Sequence, residues 1–314
     1  MTDRISNSAT TGNVEPVSTD PINASQRDKY GPVIKSIVPL STGSAEAHPE
    51  HQSGTWLPLW WWVLTSQKWI DIPINFFVIE HRDGLTLFDT GLDPRIATDP
   101  HYISHPIGRF LLKRLFRFHI CEEDGLDRIL HASGFSPNNV KKVVFSHLHF
   151  DHVGGIVHIP QAELIVSRQE WNILSGPNPE REWILREHIQ LPTANWHPVD
   201  FMPSDDPLFT MFEGCYDVVG DGSLILLPTP GHTPGSSSLL VRSSQLPPIL
   251  LIGDLAYNAD MLMEDKVPGM GDANLLHQSY TKVRQLKQML PELVLVPSHD
   301  AVASEALKSI LRAQ

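Results

Sequence analysis

Cysteine is nearly absent: Cys121 and Cys215 are the only two in 314 residues. Two thiols cannot build a disulfide framework, and neither sits in a paired Cys-x-x-Cys spacing, so both read as incidental. Long apolar runs are missing as well. The best candidate, Trp56 to Leu64, falls far short of the roughly 20 residues a membrane-spanning helix needs, and no membrane partner is expected. The N-terminus, Met1 to Ala24, is polar and lacks the basic start and apolar core of a secretory signal, which points to a cytoplasmic protein. Positive charge is scarce too. With 24 Lys and Arg against 36 Asp and Glu, the formal net charge of −12 would repel a polyphosphate backbone, so no nucleic-acid partner is expected. The one basic concentration, Arg109, Lys113, Arg114 and Arg117, is interleaved with Phe110, Leu111, Leu112, Leu115, Phe116 and Phe118. This reads most simply as an amphipathic helix with a solvated basic face; a lid or a surface-binding role is the alternative.

What is present is ordinary for a globular protein: 41% hydrophobic and 19% charged residues. Residues 1 to 30 lack periodicity and read as a flexible leader, or as an arm that packs on the neighbouring subunit of a homodimer. Residues 31 to 314 read as a single α/β domain, long for one core yet able to absorb an insertion between residues 156 and 200. Asn75 to Glu80 and Leu85 to Phe88, split by Arg82-Asp83-Gly84, read as a hairpin that runs into Asp89-Thr90-Gly91. Leu126 to Ala132 has helical spacing, and Lys142 to Ser146 is a buried strand. Ser223 to Leu227, Ser236 to Val241, Ile249 to Ile252 and Leu293 to Val296 are further strands, with a helix from Asn274 to Leu290 closed by Pro291. No short internal repeat stands out.

The chemistry concentrates beyond those strands. His147-Leu148-His149-Phe150-Asp151-His152 packs three imidazoles and a carboxylate into six residues, all ligand types for zinc and similar borderline metals. Alternate positions direct His147 and His149 to one ion, and the following turn directs Asp151 and His152 to a second. Each ion wants about four ligands, so further donors are required at later strand ends. His232, Asp254 and His299 are there to supply them, and a carboxylate such as Asp254 can bridge two cations. A lone histidine at a strand end more often serves structure; the cluster and its three partners together favour metal. His48, His51, His101, His105, His188 and His197 have no such setting and read as solvated or structural.

This constellation resembles the metallo-β-lactamase superfamily, whose His-x-His-x-Asp-His signature stands intact at His147 to His152. The resemblance runs from Asp89-Thr90-Gly91 through Pro230-Gly231-His232 and Gly253-Asp254 to His299. It implies an αββα sandwich of the metallo-β-lactamase fold with metals at one edge, and an Asp89 that orients a ligand histidine. Ser146 to Gly155 looks most like the N-acyl-homoserine lactonases (quorum-quenching lactonases). In those enzymes a tyrosine three residues after the bridging aspartate bonds the substrate carbonyl, and Asp254-Leu255-Ala256-Tyr257 matches. A buried packing role for Tyr257 is the plain alternative. The segments Ser175 to Glu182 and Gln190 to Trp196, the leader and Trp60-Trp61-Trp62 depart from the smaller lactonases; they are expected to line or cover an acyl pocket.

The resemblance therefore implies two divalent cations per chain, zinc first, with iron, cobalt or manganese as alternatives. His147, His149 and His232 would hold one, Asp151, His152 and His299 the other, with Asp254 between them. Cations roughly 3.5–4 Å apart make water a nucleophile near neutral pH. Tyr257 would stabilise the oxyanion of a small-molecule lactone, and Asp151 would pass a proton to the departing ring oxygen. Organophosphate, ester and thioester hydrolases share the pattern. A helical substrate domain of the glyoxalase type has no room in the 15 residues after His299. A mononuclear iron sulfur dioxygenase is a remoter alternative, and His149, where oxygen-reducing di-iron members carry glutamate, favours hydrolysis. A metal-binding protein without catalysis is the last reading.

Overall fold

Phe76, Phe77, Val78 and Ile79 are all buried in the computed structural model, which describes residues 31–312. Successive side chains on a strand face opposite sides, so such a run requires a sheet covered on both faces. That is what forms. Phe77 and Ile79 join Phe88, Val144, Leu226, Leu239, Leu251 and Val296 in a core between two sheets. Phe76 and Val78 go the other way, onto the helix Leu126–Ala132 through Leu126 and Leu130. On the far side, Ile225, Leu227, Leu240 and Leu250 pack on Leu276, Tyr280, Val283 and Leu286 of the helix Ala273–Met289. The result is helix, sheet, sheet, helix: the expected αββα sandwich.

The strands, numbered along the chain, are β1 (Ile34–Ala47), β2 (Ile70–His81), β3 (Gly84–Phe88), β4 (Phe116–His119), β5 (Val140–Val144), β6 (Glu163–Ser167), β7 (Asn195–Val199), β8 (Tyr216–Asp217), β9 (Leu224–Pro228), β10 (Ser237–Val241), β11 (Ile249–Gly253) and β12 (Val294–Pro297). The first sheet has the order β4-β1-β2-β3-β5-β6-β7, and the second β12-β11-β10-β9-β8. β3, β5, β6 and β7 run parallel, as do β11 and β12, so the ends of β3, β5, β11 and β12 can deliver their following loops to one rim. Ser237 N donates to Ser146 O at 2.9 Å across the two sheets, and Ser298 N donates to Gly253 O at 3.1 Å within the second, tying those loops together. Gly253 has φ +56, and a Cβ there would meet Ser146 Cβ at 2.6 Å. Only glycine lets β11 close on the histidine loop.

Three expectations need correction. The basic stretch is not one helix: the helix Pro106–Leu115 ends, and Phe116–His119 becomes the edge strand β4, paired antiparallel with β1. Its basic face is not merely solvated either, since Arg114 donates to the carbonyls of Val63 and Leu64, and Arg117 lies 4.0 Å over the Trp69 ring. Residues 156 to 200 are not simply an insertion, because they contribute β6 and β7 to the first sheet. The leader, residues 1 to 30, lies outside the described residues. Among those described, no helix is long and apolar enough to cross a membrane.

Candidate metal centre

β5 ends at Val144, and the chain leaves the sheet through Phe145 and Ser146 into the short helix Phe150–Val153. That turn presents His147, His149, Asp151 and His152 on one side of the rim. The turn after β9 brings His232, the end of β11 brings Asp254 and the end of β12 brings His299. All seven donors anticipated from the sequence converge. Their ligand atoms fall into three overlapping groups, His147 with His149 and His232, His147 with His152 and Asp254, and Asp151 with His152 and His299, each within 4.8 Å. Asp254 lies between the outer two groups: Oδ1 is 3.2 Å from His152 Nε2, and Oδ2 is 3.4 Å from His232 Nε2 and 3.2 Å from His299 Nε2.

Three of the five rings are aimed by their other nitrogen. His152 Nδ1 lies 2.8 Å from Asp89 Oδ2, His147 Nδ1 2.9 Å from Ser146 Oγ, and His299 Nδ1 2.8 Å from Pro73 O. Asp89 is itself fixed, accepting from Ser146 N at 2.8 Å and Ser146 Oγ at 2.9 Å. A carboxylate behind an imidazole sets the tautomer and raises ligand basicity. The front nitrogens, Nε2 of His147 and of His152, are buried without hydrogen-bond partners, and so is Asp254 Oδ1. Native proteins rarely strand buried polar atoms, and several in one place aimed at each other fit a cation between them.

The electrostatics agree. Burial lowers the pKa of His147 far below its ordinary range, that of His149 to about 4 and that of His232 to about 3, so these rings keep their lone pairs near neutrality. For His152 and His299 burial acts in the same sense but is outweighed by Asp254, helped by Asp89 at His152 and by Asp151 at both, and their pKa values rise. The Asp254 carboxyl stays ionised, held well below its usual range by His299 and His152 against the effect of burial. The centre thus combines three imidazoles kept neutral by burial with an ionised carboxylate that draws positive charge toward itself, a donor set suited to a cation.

A sequence model of the metallo-beta-lactamase superfamily matches residues 69–299. An N-acyl homoserine lactonase, AttM, of Azorhizobium caulinodans is 33% identical over 251 residues, covering 76% of this chain and 86% of that protein. The chain belongs to the N-acyl homoserine lactonase family of that superfamily. AttM of Rhizobium radiobacter is 36% identical over 204 residues, or 63% of this chain and 71% of that protein. Among solved structures, an N-acyl homoserine lactone hydrolase with the product N-hexanoyl-L-homoserine bound at its catalytic metal centre superposes with TM-score 0.69. It is 25% identical and covers 87% of this chain and 96% of that one.

In this lactonase-family chain Tyr257 lines the cavity beside the donors, 5% exposed and stacked on His299 at 5.4 Å between ring centroids. Burial, and then the charges of Asp254 and Asp151, raise its pKa well above the ordinary 10, so the phenol keeps its proton. The cavity before the donors is walled by Ile72, Phe116, Phe150, Trp183 and Met270, and also by His51. Sequence reasoning had set His51 aside with the solvated or structural histidines. It also missed Glu170, fully buried between two ligand loops. Glu170 accepts from Leu148 N at 3.0 Å on the His147–His152 side, and from Thr233 Oγ1 at 2.7 Å and Gly235 N at 3.1 Å beside His232. Burial pushes its carboxyl up to about 7 against the pull of these three donors. A Cβ on Gly235 would meet Glu170 N at 2.1 Å, so the contact demands glycine there.

Proposed function

We propose that this protein opens the ester ring of N-acyl-homoserine lactones at a centre of two divalent cations, with zinc as the native metal. The observation that carries the proposal is the convergence of seven donors at one rim with Tyr257 stacked against one of them. His147, His149 and His232 hold one cation, Asp151, His152 and His299 the other, and Asp254 reaches both. An imidazole-rich set with a bridging carboxylate suits zinc. When bound, such a pair lowers the pKa of water to near neutrality and polarises a carbonyl oxygen.

The chain's own groups supply the rest. Tyr257, kept protonated by burial, donates to the carbonyl oxygen as charge gathers on it. Asp151, 17% exposed at the cavity edge, carries a proton to the departing ring oxygen. Phe116, Phe150, Trp183 and Met270 give the acyl chain an apolar wall. Trp183 also borders a cleft of about 750 Å³, lined by Ile103, Ile107, Leu111 and Leu185, which we assign to the distal end of long acyl chains. Residues 31 to 314 act as one catalytic unit on this reading, because both sheets contribute donors. The two unpaired thiols suit a reducing compartment, and we place the reaction in the cytoplasm.

The test is pH-stat hydrolysis of a series of N-acyl-homoserine lactones by metal-quantified protein, with a paraoxon-type phosphotriester and a thioester in parallel. Fast ring opening with a dependence on chain length is expected. Rapid turnover of the phosphotriester or thioester with inert lactones would overturn the substrate assignment.

A further inference from the structure

The short helix Pro49–Ser53 follows β1 and carries His51, 1% exposed, to the wall of the cavity that holds the seven donors. Its position is fixed from several sides. The His51 backbone N donates to His48 O at 2.9 Å, and its own carbonyl accepts from Gly269 N at 3.1 Å. The ring packs edge-on against Trp62 at 4.9 Å and tilted against Phe116 at 5.0 Å between centroids. His48 beneath it is anchored in turn, its ring nitrogens 2.9 Å from Lys68 O and 2.8 Å from Arg114 O.

The two nitrogens of His51 face different worlds. Nδ1 lies 3.2 Å from His48 O, and a carbonyl oxygen can only accept, so Nδ1 carries the proton. Nε2 then presents a lone pair, and it is buried with no hydrogen-bond partner. Burial also pushes the ring pKa down to about 4, which keeps this tautomer neutral at working pH. A buried acceptor left unpaired is unfavourable, and a ligand that supplies a donor removes that penalty.

An N-acyl-homoserine lactone with a plain acyl chain has one donor, the amide N–H, on the carbon next to the ester carbonyl. All its other polar atoms accept. Around the cavity the carboxylates of Asp151 and Asp254 already face imidazoles, and the side chains of Ile72, Phe116, Phe150 and Trp183 carry no acceptor. We infer that His51 Nε2 accepts the amide N–H of the substrate and is the residue by which the site distinguishes acylamino lactones from lactones without that donor. This inference rests on the lactonase reading.

The test compares wild type, His51→Phe and His51→Gln, each with metal quantified, on two lactones of equal size: N-hexanoyl-homoserine lactone and 2-(hexanoyloxy)-γ-butyrolactone, which has an ester oxygen in place of N–H. Loss of one hydrogen bond lowers kcat/KM of His51→Phe on the amide by about 10-fold, chiefly through KM, and leaves the acyloxy lactone within about twofold. The preference for the amide therefore collapses. His51→Gln, whose amide oxygen can accept, keeps part of it. Calorimetric titration with ring-opened N-hexanoyl-homoserine and its O-acyl counterpart should show the same selective loss without turnover. An equal fall on both lactones, or an unchanged ratio in His51→Phe, overturns the inference. Wild-type protein that opens neither lactone overturns the lactonase reading beneath it.

Discussion

Glu170 spends its hydrogen bonds on residues beside the candidate ligands, and its removal is expected to loosen two of the loops that carry them. Its carboxylate accepts from Leu148 N at 3.0 Å and Gly235 N at 3.1 Å, both buried, and from Thr233 Oγ1 at 2.7 Å. In Glu170→Ala the threonine hydroxyl keeps Ser236 Oγ at 2.6 Å, but the two backbone N–H groups lose their only acceptor. A stranded buried donor costs ~1–3 kcal/mol, so the pair amounts to ~2–6 kcal/mol. That is a large part of the ~5–15 kcal/mol by which a domain is stable. Glu170→Gln retains one carbonyl oxygen and turns an amide toward the remaining donors, so it should fall between wild type and Ala. Urea unfolding of metal-quantified protein reads the stability. Chelator competition reads the affinity for zinc, which should weaken ~10- to 100-fold because the loops no longer hold the rings in register. An Ala variant within about 0.5 kcal/mol of wild type and with unchanged zinc affinity would refute the reasoning.

Other substitutions probe the centre itself. Tyr257→Phe should slow lactone opening ~10- to 1000-fold with metal content constant, as expected for loss of one oxyanion donor; unchanged kinetics would return the residue to a packing role. Asp254→Ala removes the carboxylate that reaches three imidazoles, and metal analysis should find less than the full complement alongside lost turnover. Full activity in that variant would sink the assignment of Asp254. Asp89→Asn keeps the shape behind His152 and loses the charge, so zinc affinity should drop ~10- to 100-fold while the fold persists by circular dichroism.

How far the sequence alone reached depended on whether a signal was local. β9 and β11 announce themselves because strands covered on both faces are unbroken apolar runs, ending here in Pro228 and Gly253. The six-residue cluster at His147 is contiguous and needs no tertiary knowledge. β4 was lost inside a helix pattern because Phe116 and Phe118 fit a helical stripe as well as a strand; the alternation Phe116-Arg117-Phe118-His119 was the available clue, and pairing with β1 decides it. β1 hides behind Ser41-Thr42-Gly43-Ser44, where its register with β2 slips. Ser167 and Glu170 have the spacing of a capping box, and Ser167 Oγ does accept from Glu170 N. The Glu170 carboxylate instead reaches across to two other loops, a choice made by packing. His51 carries no local mark at all, since only the pairing of β1 with β2 and the fit of its helix against Gly269 bring it to the cavity.

The central claim is a two-cation centre that opens lactones, and the most direct measurement is zinc back-titration of chelator-stripped protein with the rate of N-hexanoyl-homoserine lactone opening followed at each step. The seven-donor geometry predicts no turnover in the stripped protein and a rate that climbs to a plateau at two zinc ions per chain. A plateau at one ion, or ring opening that survives without metal, would contradict it.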